Sequence, residues 1–259
     1  MTSAAETARF REGLQARRPL SGVWSTLDDA VTARVLARSG FDFVTIDLQH
    51  SYVTMASAAG LVDAVRNGGS APIVRVPWNA PDLIMRALDC GAEGVIVPMV
   101  NSADEAQRAA DACRYGPVGT RSWGPLWQGV HESYPEADEG DRRTACIVMI
   151  ETAAAFADID EIVAVEGVDA VYIGQNDLSL SAGLGRRSYV DSPELHDMID
   201  RVIERGHAAG KAVGLDCSGA EQSAYWRARG VDFVIAANDV GLLAAAAAAS
   251  ATALKARDT

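Results

Sequence analysis

The stretch 41–51, FDFVTIDLQHS, decides how the rest of the chain is read. Its first half is apolar and β-branched, without the alternation of a strand that has one wet face. Such a run belongs to a strand covered on both sides, as in a parallel sheet flanked by helices. It then ends on Asp47, Gln49 and His50 within four residues. Three polar side chains at the end of a buried strand are costly unless they have partners or a task.

Seven more runs of the same character surround it: SGVWS (21–25), PIVRV (72–76), GVIVPM (94–99), CIVMIE (146–151), DAVYIG (169–174), KAVGLD (211–216) and DFVIAA (232–237). With DFVTID (42–47) they make eight. Helical segments fall between them. Ser3/Glu6, Ser102/Glu105 and Ser218/Glu221 have capping-box spacing. Ser192-Pro193 fits an N-cap followed by proline at the first helical position. Gly69, Gly91, Gly167, Gly210 and Gly230 stand where helices should stop. Eight such units in 259 residues predict one (β/α)8 TIM barrel over 1–259, with N-terminal and C-terminal helices in subunit contacts. A doubly wound sheet would show a GxGxxG turn after an early strand, and there is none. GLGRR at 183–187 reads as a loop. The longest irregular stretch is 116–145, rich in Gly, Pro and Trp and then acidic.

A net charge of −12 argues against nucleic acid or an anionic membrane surface as partner. No run of about 18 apolar residues suggests a membrane span. The first twenty residues lack the apolar centre of a signal peptide, and Cys90, Cys113, Cys146 and Cys217 are scattered without metal-site spacing. The expectation is a cytoplasmic protein with reduced cysteines.

Barrel enzymes build their sites at the C-terminal ends of the strands. There the sequence places Asp47, Gln49 and His50 after the second strand, Arg75 after the third, Pro98 and Met99 after the fourth and Glu151 after the fifth. Asn176 and Asp177 follow the sixth, Asp216 the seventh, and Asn238 and Asp239 the eighth. Glu151 and Asp177 suit a hard divalent cation. A cation with a base beside it suits proton abstraction next to a carbonyl. His50 can serve as that base near neutral pH, and Arg75 can hold a carboxylate with two bonds. Taken singly, each has a plain structural reading: a buried Glu–Arg pair, a turn-capping aspartate, a core histidine. It is the coincidence of one His, one Arg and two carboxylates at strand ends that favours chemistry. His131, His196 and His207 fall in loop or helix-surface contexts. The only lysines are Lys211, at the start of a strand, and Lys255, in the tail. A Schiff-base or pyridoxal-phosphate mechanism therefore lacks its lysine.

FDFVTIDLQHS, the run from PIVRVPWNAPDL through MRALDCGAEGVIVPMV to RYGPVGTR, IVMIET and VEGVDAVYIGQNDLSLSAG together resemble the HpcH/HpaI aldolase family over roughly residues 18–245. The resemblance implies a metal-dependent class II pyruvate aldolase, cleaving a 4-hydroxy-2-oxo acid to pyruvate and an aldehyde with Mg²⁺, Mn²⁺ or Co²⁺, in a homo-oligomer (hexamer or trimer). It implies Glu151 and Asp177 as metal ligands, Arg75 as the group on the pyruvate oxygens and His50 as proton acceptor. Asn176 would lie against the pyruvate carboxylate, and Met149 would stand at a substrate-binding position. Asp89 would raise the basicity of His50, with Asp47 and Gln49 orienting water. Asp89 ends the helix after the third strand, which points to the far end of its own barrel, so a neighbouring subunit would have to supply it. Gln49 stands where the family usually has glutamate, Gln175 where it often has proline, and Met149 where some members have glutamine. Two other readings remain: an acyl-CoA carbon–carbon lyase of the citrate-lyase kind, and a catalytically weak metal- and oxoacid-binding relative. The aldehyde cannot be read; Trp123 and Trp127 would favour an apolar or aromatic one, unless they only pack.

Overall fold

The structure, a computed structural model, describes residues 9–256. Eight parallel strands close into a barrel in sequence order. They are β1 (Leu20–Ser25), β2 (Phe43–Asp47), β3 (Ala71–Arg75), β4 (Gly94–Val97), β5 (Ala145–Ile150), β6 (Ala170–Ile173), β7 (Ala212–Asp216) and β8 (Phe233–Asn238). Each lies within two residues of its predicted run. The pairing of β8 with β1 closes the ring, and Asp239 seals the seam by accepting hydrogen bonds from the backbone of Thr26 (2.7 Å) and Leu27 (2.8 Å).

The two faces of each strand feed two cores. Val23, Val44, Ile46, Val74, Val95 and their counterparts pack outward against the helices. Phe43, Ile73, Ile96, Ile147, Met149, Tyr172, Phe233 and Ile235 fill the barrel interior, with Phe10 and Leu14 of the first helix joining them. Since side chains alternate along a strand, the inward positions nearest the C-terminal ends are Trp24, Asp47, Arg75, Glu151, Gly174 and Asp216. The barrel is apolar below and polar in its top layer.

Helix boundaries follow local chemistry. Ser192 accepts from the Leu195 N–H with Pro193 at the first turn, as expected. Ser102 caps through the Glu105 N–H (3.3 Å), but Glu105 returns its carboxylate to the Asn101 N–H (2.8 Å), one residue early. At 218–221 the expected box does not form. Gly219, at φ 88°, is the N-cap, and the Ser218 N–H is taken by Gln222. Ser3/Glu6 lies outside the described residues. The five glycines expected to end helices all have positive φ. The stretch 116–145 carries two short helices, Leu126–His131 and Ala137–Arg143.

Candidate active site

Asp47 and Arg75 are direct neighbours in the β2–β3 register. The carboxylate takes Arg75 Nε at 2.8 Å and Nη2 at 2.6 Å, and it is 2% exposed. The guanidinium lies 4.3 Å over the Trp24 ring. Nη1 makes no hydrogen bond among the described residues, so the arginine is fixed on one edge and open on the other. Asp47 also accepts from the N–H groups of Gln49 (3.0 Å) and His50 (3.4 Å), and its carbonyl accepts from the Ser51 hydroxyl. One buried aspartate thus orients the arginine and shapes the turn that presents the exposed His50. Gln49 Oε1 is buried with no hydrogen-bond partner.

Glu151 follows β5, inward-facing and buried. Its Oε1 accepts from the Met99 N–H at 2.6 Å. Met99 holds φ at 56°, a left-handed conformation that side-chain-bearing residues adopt at a cost and that clusters at functional sites. Sequence reading left Met99 without a role; its backbone turns out to aim Glu151. Across the register, Gly174 leaves Glu151 its space: a Cβ there would lie 2.7 Å from Glu151 Cβ and 2.8 Å from Oε2. Burial pushes the Glu151 carboxyl up, Asp177 adds to this, and the Met99 N–H and Arg75 pull it down.

Asn176 and Asp177 open the helix Gln175–Ser181, exposed at the mouth. The first N–H groups of a helix lack intrahelical partners. Met149 lies one inward step below Glu151, 2% exposed, as part of the floor. Asp89 ends the helix Pro81–Asp89 and pairs with Arg121 at 2.6 Å, at the end of the barrel opposite His50. Within one chain, then, the structure brings His50, Arg75, Asp47, Glu151 and Asp177 to one mouth and leaves Asp89 out. The other histidines have partners elsewhere: His131 on the Trp127 carbonyl, His196 on the Tyr225 hydroxyl and His207 on Asp232. Trp127 is buried at the far end under Arg66, and Trp123 leans on Tyr134; Trp127, at least, is no part of the mouth.

Among the described residues no group of three or more His, Cys, Asp or Glu could hold a metal ion. Glu151 and Asp177 nevertheless fit a hard divalent cation, which commonly takes one or two carboxylates and leaves its other positions to water and substrate. They repel one another, and the nearby arginine already faces Asp47. The orphaned Gln49 Oε1, on the turn after β2, suits a hydrogen-bonded water.

The family model described as HpcH/HpaI aldolase/citrate lyase matches residues 20–246. The chain belongs to this family. It is 40% identical to a hydroxypyruvate/pyruvate aldolase of Rhizorhabdus wittichii, over 89% of this chain and 92% of that one. It is 34% identical to a 4-hydroxy-2-oxo-heptane-1,7-dioate aldolase of Shigella sonnei, over 96% of each. A crystal structure of an HpcH/HpaI aldolase/citrate lyase family protein from Burkholderia cenocepacia superposes with a TM-score of 0.87, at 27% identity, covering 98% of this chain and all of that one. No described helix is long and apolar enough to cross a membrane.

Proposed function

We propose that this chain is a carbon–carbon lyase that reversibly cleaves a 4-hydroxy-2-oxo acid to pyruvate and an aldehyde. The observation that carries this is the surplus of acid at the mouth. Glu151 and Asp177 stand together beside an arginine already matched by Asp47, in a family whose relatives are named as aldolases.

Arg75, clamped by Asp47 and Trp24, turns its free Nη1 to the 2-oxo and carboxylate oxygens of the substrate. The backbone of Asn176 receives the other side of the carboxylate. Glu151 and Asp177 would hold Mg²⁺, Mn²⁺ or Co²⁺, which supplies positive charge to polarise the oxo group and to favour the enolate. His50 takes the proton of the C4 hydroxyl. The C3–C4 bond then breaks with its electron pair left on C3, and the aldehyde departs. A proton from solvent at C3 completes pyruvate and His50 releases the hydroxyl proton to solvent; in the reverse direction protonated His50 gives its proton to the new hydroxyl. Met149 closes the floor against water.

The helix Asp239–Lys255 has no buried residue but Asp239, and Leu242, Leu243 and Leu254 are exposed along it. A homo-oligomer, a hexamer or trimer, would cover it and could set Asp89 of one subunit near His50 of its neighbour. A fully active monomer by light scattering would overturn this assembly.

The reaction is tested by exchange of the pyruvate C3 protons in D₂O, followed by NMR with each metal and then with EDTA. Metal-dependent exchange that disappears in Glu151→Gln supports the reading. No exchange with any of the three metals, in folded protein, would overturn it.

A further inference from the structure

One carboxylate at the mouth has no part in the chemistry above. Asp216 ends β7 with its side chain inward, in the layer of Asp47, Arg75 and Glu151. Oδ1 accepts from Trp24 Nε1 at 2.9 Å and from the Tyr172 hydroxyl at 3.5 Å. Oδ2 makes no hydrogen bond among the described residues. Burial pushes this carboxyl up, against the Trp24 bond and Arg75. Asp216 is only partly buried, so its unpaired Oδ2 is open to whatever occupies the mouth.

Asp216 lines an open cleft of about 710 Å³ over the ends of β6 and β7. Asn176, set beside the pyruvate in the reading above, lines it too, so the cleft adjoins the substrate position and Asp216 stands within reach of the rest of the carbon chain. Arg186, Ser188, Gln222 and Tyr225 line it as well, and Val190 is the one aliphatic side chain in it. An aliphatic chain would find only Val190 and the rings of Tyr189 and Tyr225 to lie against. A hydroxylated one would find donors and acceptors throughout.

We propose that Asp216 is a specificity-determining residue whose Oδ2 accepts a hydrogen bond from a hydroxyl group of the aldehyde, so that the enzyme selects hydroxylated aldehydes over their deoxy analogues. This rests on the aldolase reading and names the substrate class of that same site. The discrimination follows from the asymmetry of polar sites. An apolar pocket rejects an added hydroxyl weakly, whereas a carboxylate oxygen held in place to accept from a hydroxyl favours the substrate that supplies one.

The test is the condensation of pyruvate with glyceraldehyde or propionaldehyde, comparing kcat/KM for wild type, Asp216→Leu and Asp216→Asn with Mn²⁺ present. The wild type should prefer glyceraldehyde. Asp216→Leu should lower that preference by about 10- to 100-fold, the range of a lost hydrogen bond to a charged group. Asp216→Asn, which keeps an oxygen for Trp24 and guards against misfolding, should lower it severalfold. A wild type without preference overturns the proposal. So does an equal loss for both aldehydes, which would mark Asp216 as merely holding Trp24 in place. Pyruvate proton exchange is read in the same wild-type sample without aldehyde. Its absence would overturn the aldolase reading and this proposal with it, while exchange with an unaltered aldehyde preference in both variants overturns this proposal alone.

Discussion

At the N-terminal end of the barrel Asp169 lies between Arg11 (2.8 Å) and Arg114 (3.0 Å), Glu93 faces Arg66 (2.9 Å) and Asp89 faces Arg121 (2.6 Å). At the C-terminal end, Arg75 is the one inward-facing arginine of the strands among the described residues, beside Asp47, Glu151 and Asp216. The same residue types therefore do different work at the two ends. Below, these three carboxylates each have an arginine, and the pairs brace the strand entries. Above, one pair is made and the remaining acids are held by N–H groups of Met99 and Trp24, which orient them without neutralising them. Acid left uncompensated in a concave site is destabilising by itself, and its persistence points to a positively charged or hydrogen-donating ligand.

Removing one charge from each end separates the two roles. Glu151→Gln should lower pyruvate proton exchange by about 1,000-fold or more, because the charge that attracts the cation is lost. Its Tm should hold or rise, since a buried like charge disappears. Arg114→Met should do the opposite. Breaking a buried pair costs about 3 kcal/mol, read as a fall in the denaturation midpoint, while exchange per folded molecule stays at the wild-type rate. If Arg114→Met abolished exchange in folded protein, or Glu151→Gln left it intact, the division between bracing and working ends would fail.

The N-terminal end is not uniformly inert to pH. Burial pushes the Glu93 carboxyl from 4.5 up to about 7, although Arg66 pulls it down. A carboxyl with a folded pKa above its unfolded one favours the folded state when protonated. Its contribution is fully present below about pH 4.5 and is lost as pH rises through about 7, a change of at most about 3 kcal/mol. Urea denaturation of wild type should therefore lose stability between pH 5 and 7.5, and Glu93→Gln should flatten that slope. An unaltered slope in the variant would mean that Arg66 keeps Glu93 ionised throughout.

Much of this division was legible in the chain. All eight strands were readable because continuous β-branched runs leave no other home than a sheet covered on both faces. The alternation within them also places Asp47, Arg75, Glu151 and Asp216 in one inward layer, since each lies an even number of residues from an interior neighbour such as Phe43, Ile73, Met149 or Ala212. What the chain hid depends on tertiary packing. Nothing local marks Met99 as left-handed, or Trp24 as the surface under Arg75. Glycine and proline in 116–145 masked two short helices that tertiary contacts support. The cap expected at Ser218 failed because Gly219 could take a positive φ that serine would resist.

Gly174 tests how finely the working end is set. Its backbone angles, φ −88° and ψ 78°, do not require glycine. What requires it is space, because an added Cβ would meet Glu151 Cβ at 2.7 Å, Oε2 at 2.8 Å and Met149 Cε at 3.0 Å. Gly174→Ala should fold with a loss of about 1–2 kcal/mol. Pyruvate exchange should fall by about 100-fold, as expected for a reacting group displaced by about an ångström. Gly60, in the helix Met55–Gly68, is the matched control. Beyond its own helical turn no atom lies within 4 Å of a Cβ there, and Gly60→Ala should gain about 0.5–1 kcal/mol with unaltered exchange. Wild-type exchange in Gly174→Ala would mean that Glu151 acts from more than one position. The bond from Met99 and the strain that aims it would then lose their claim on the chemistry.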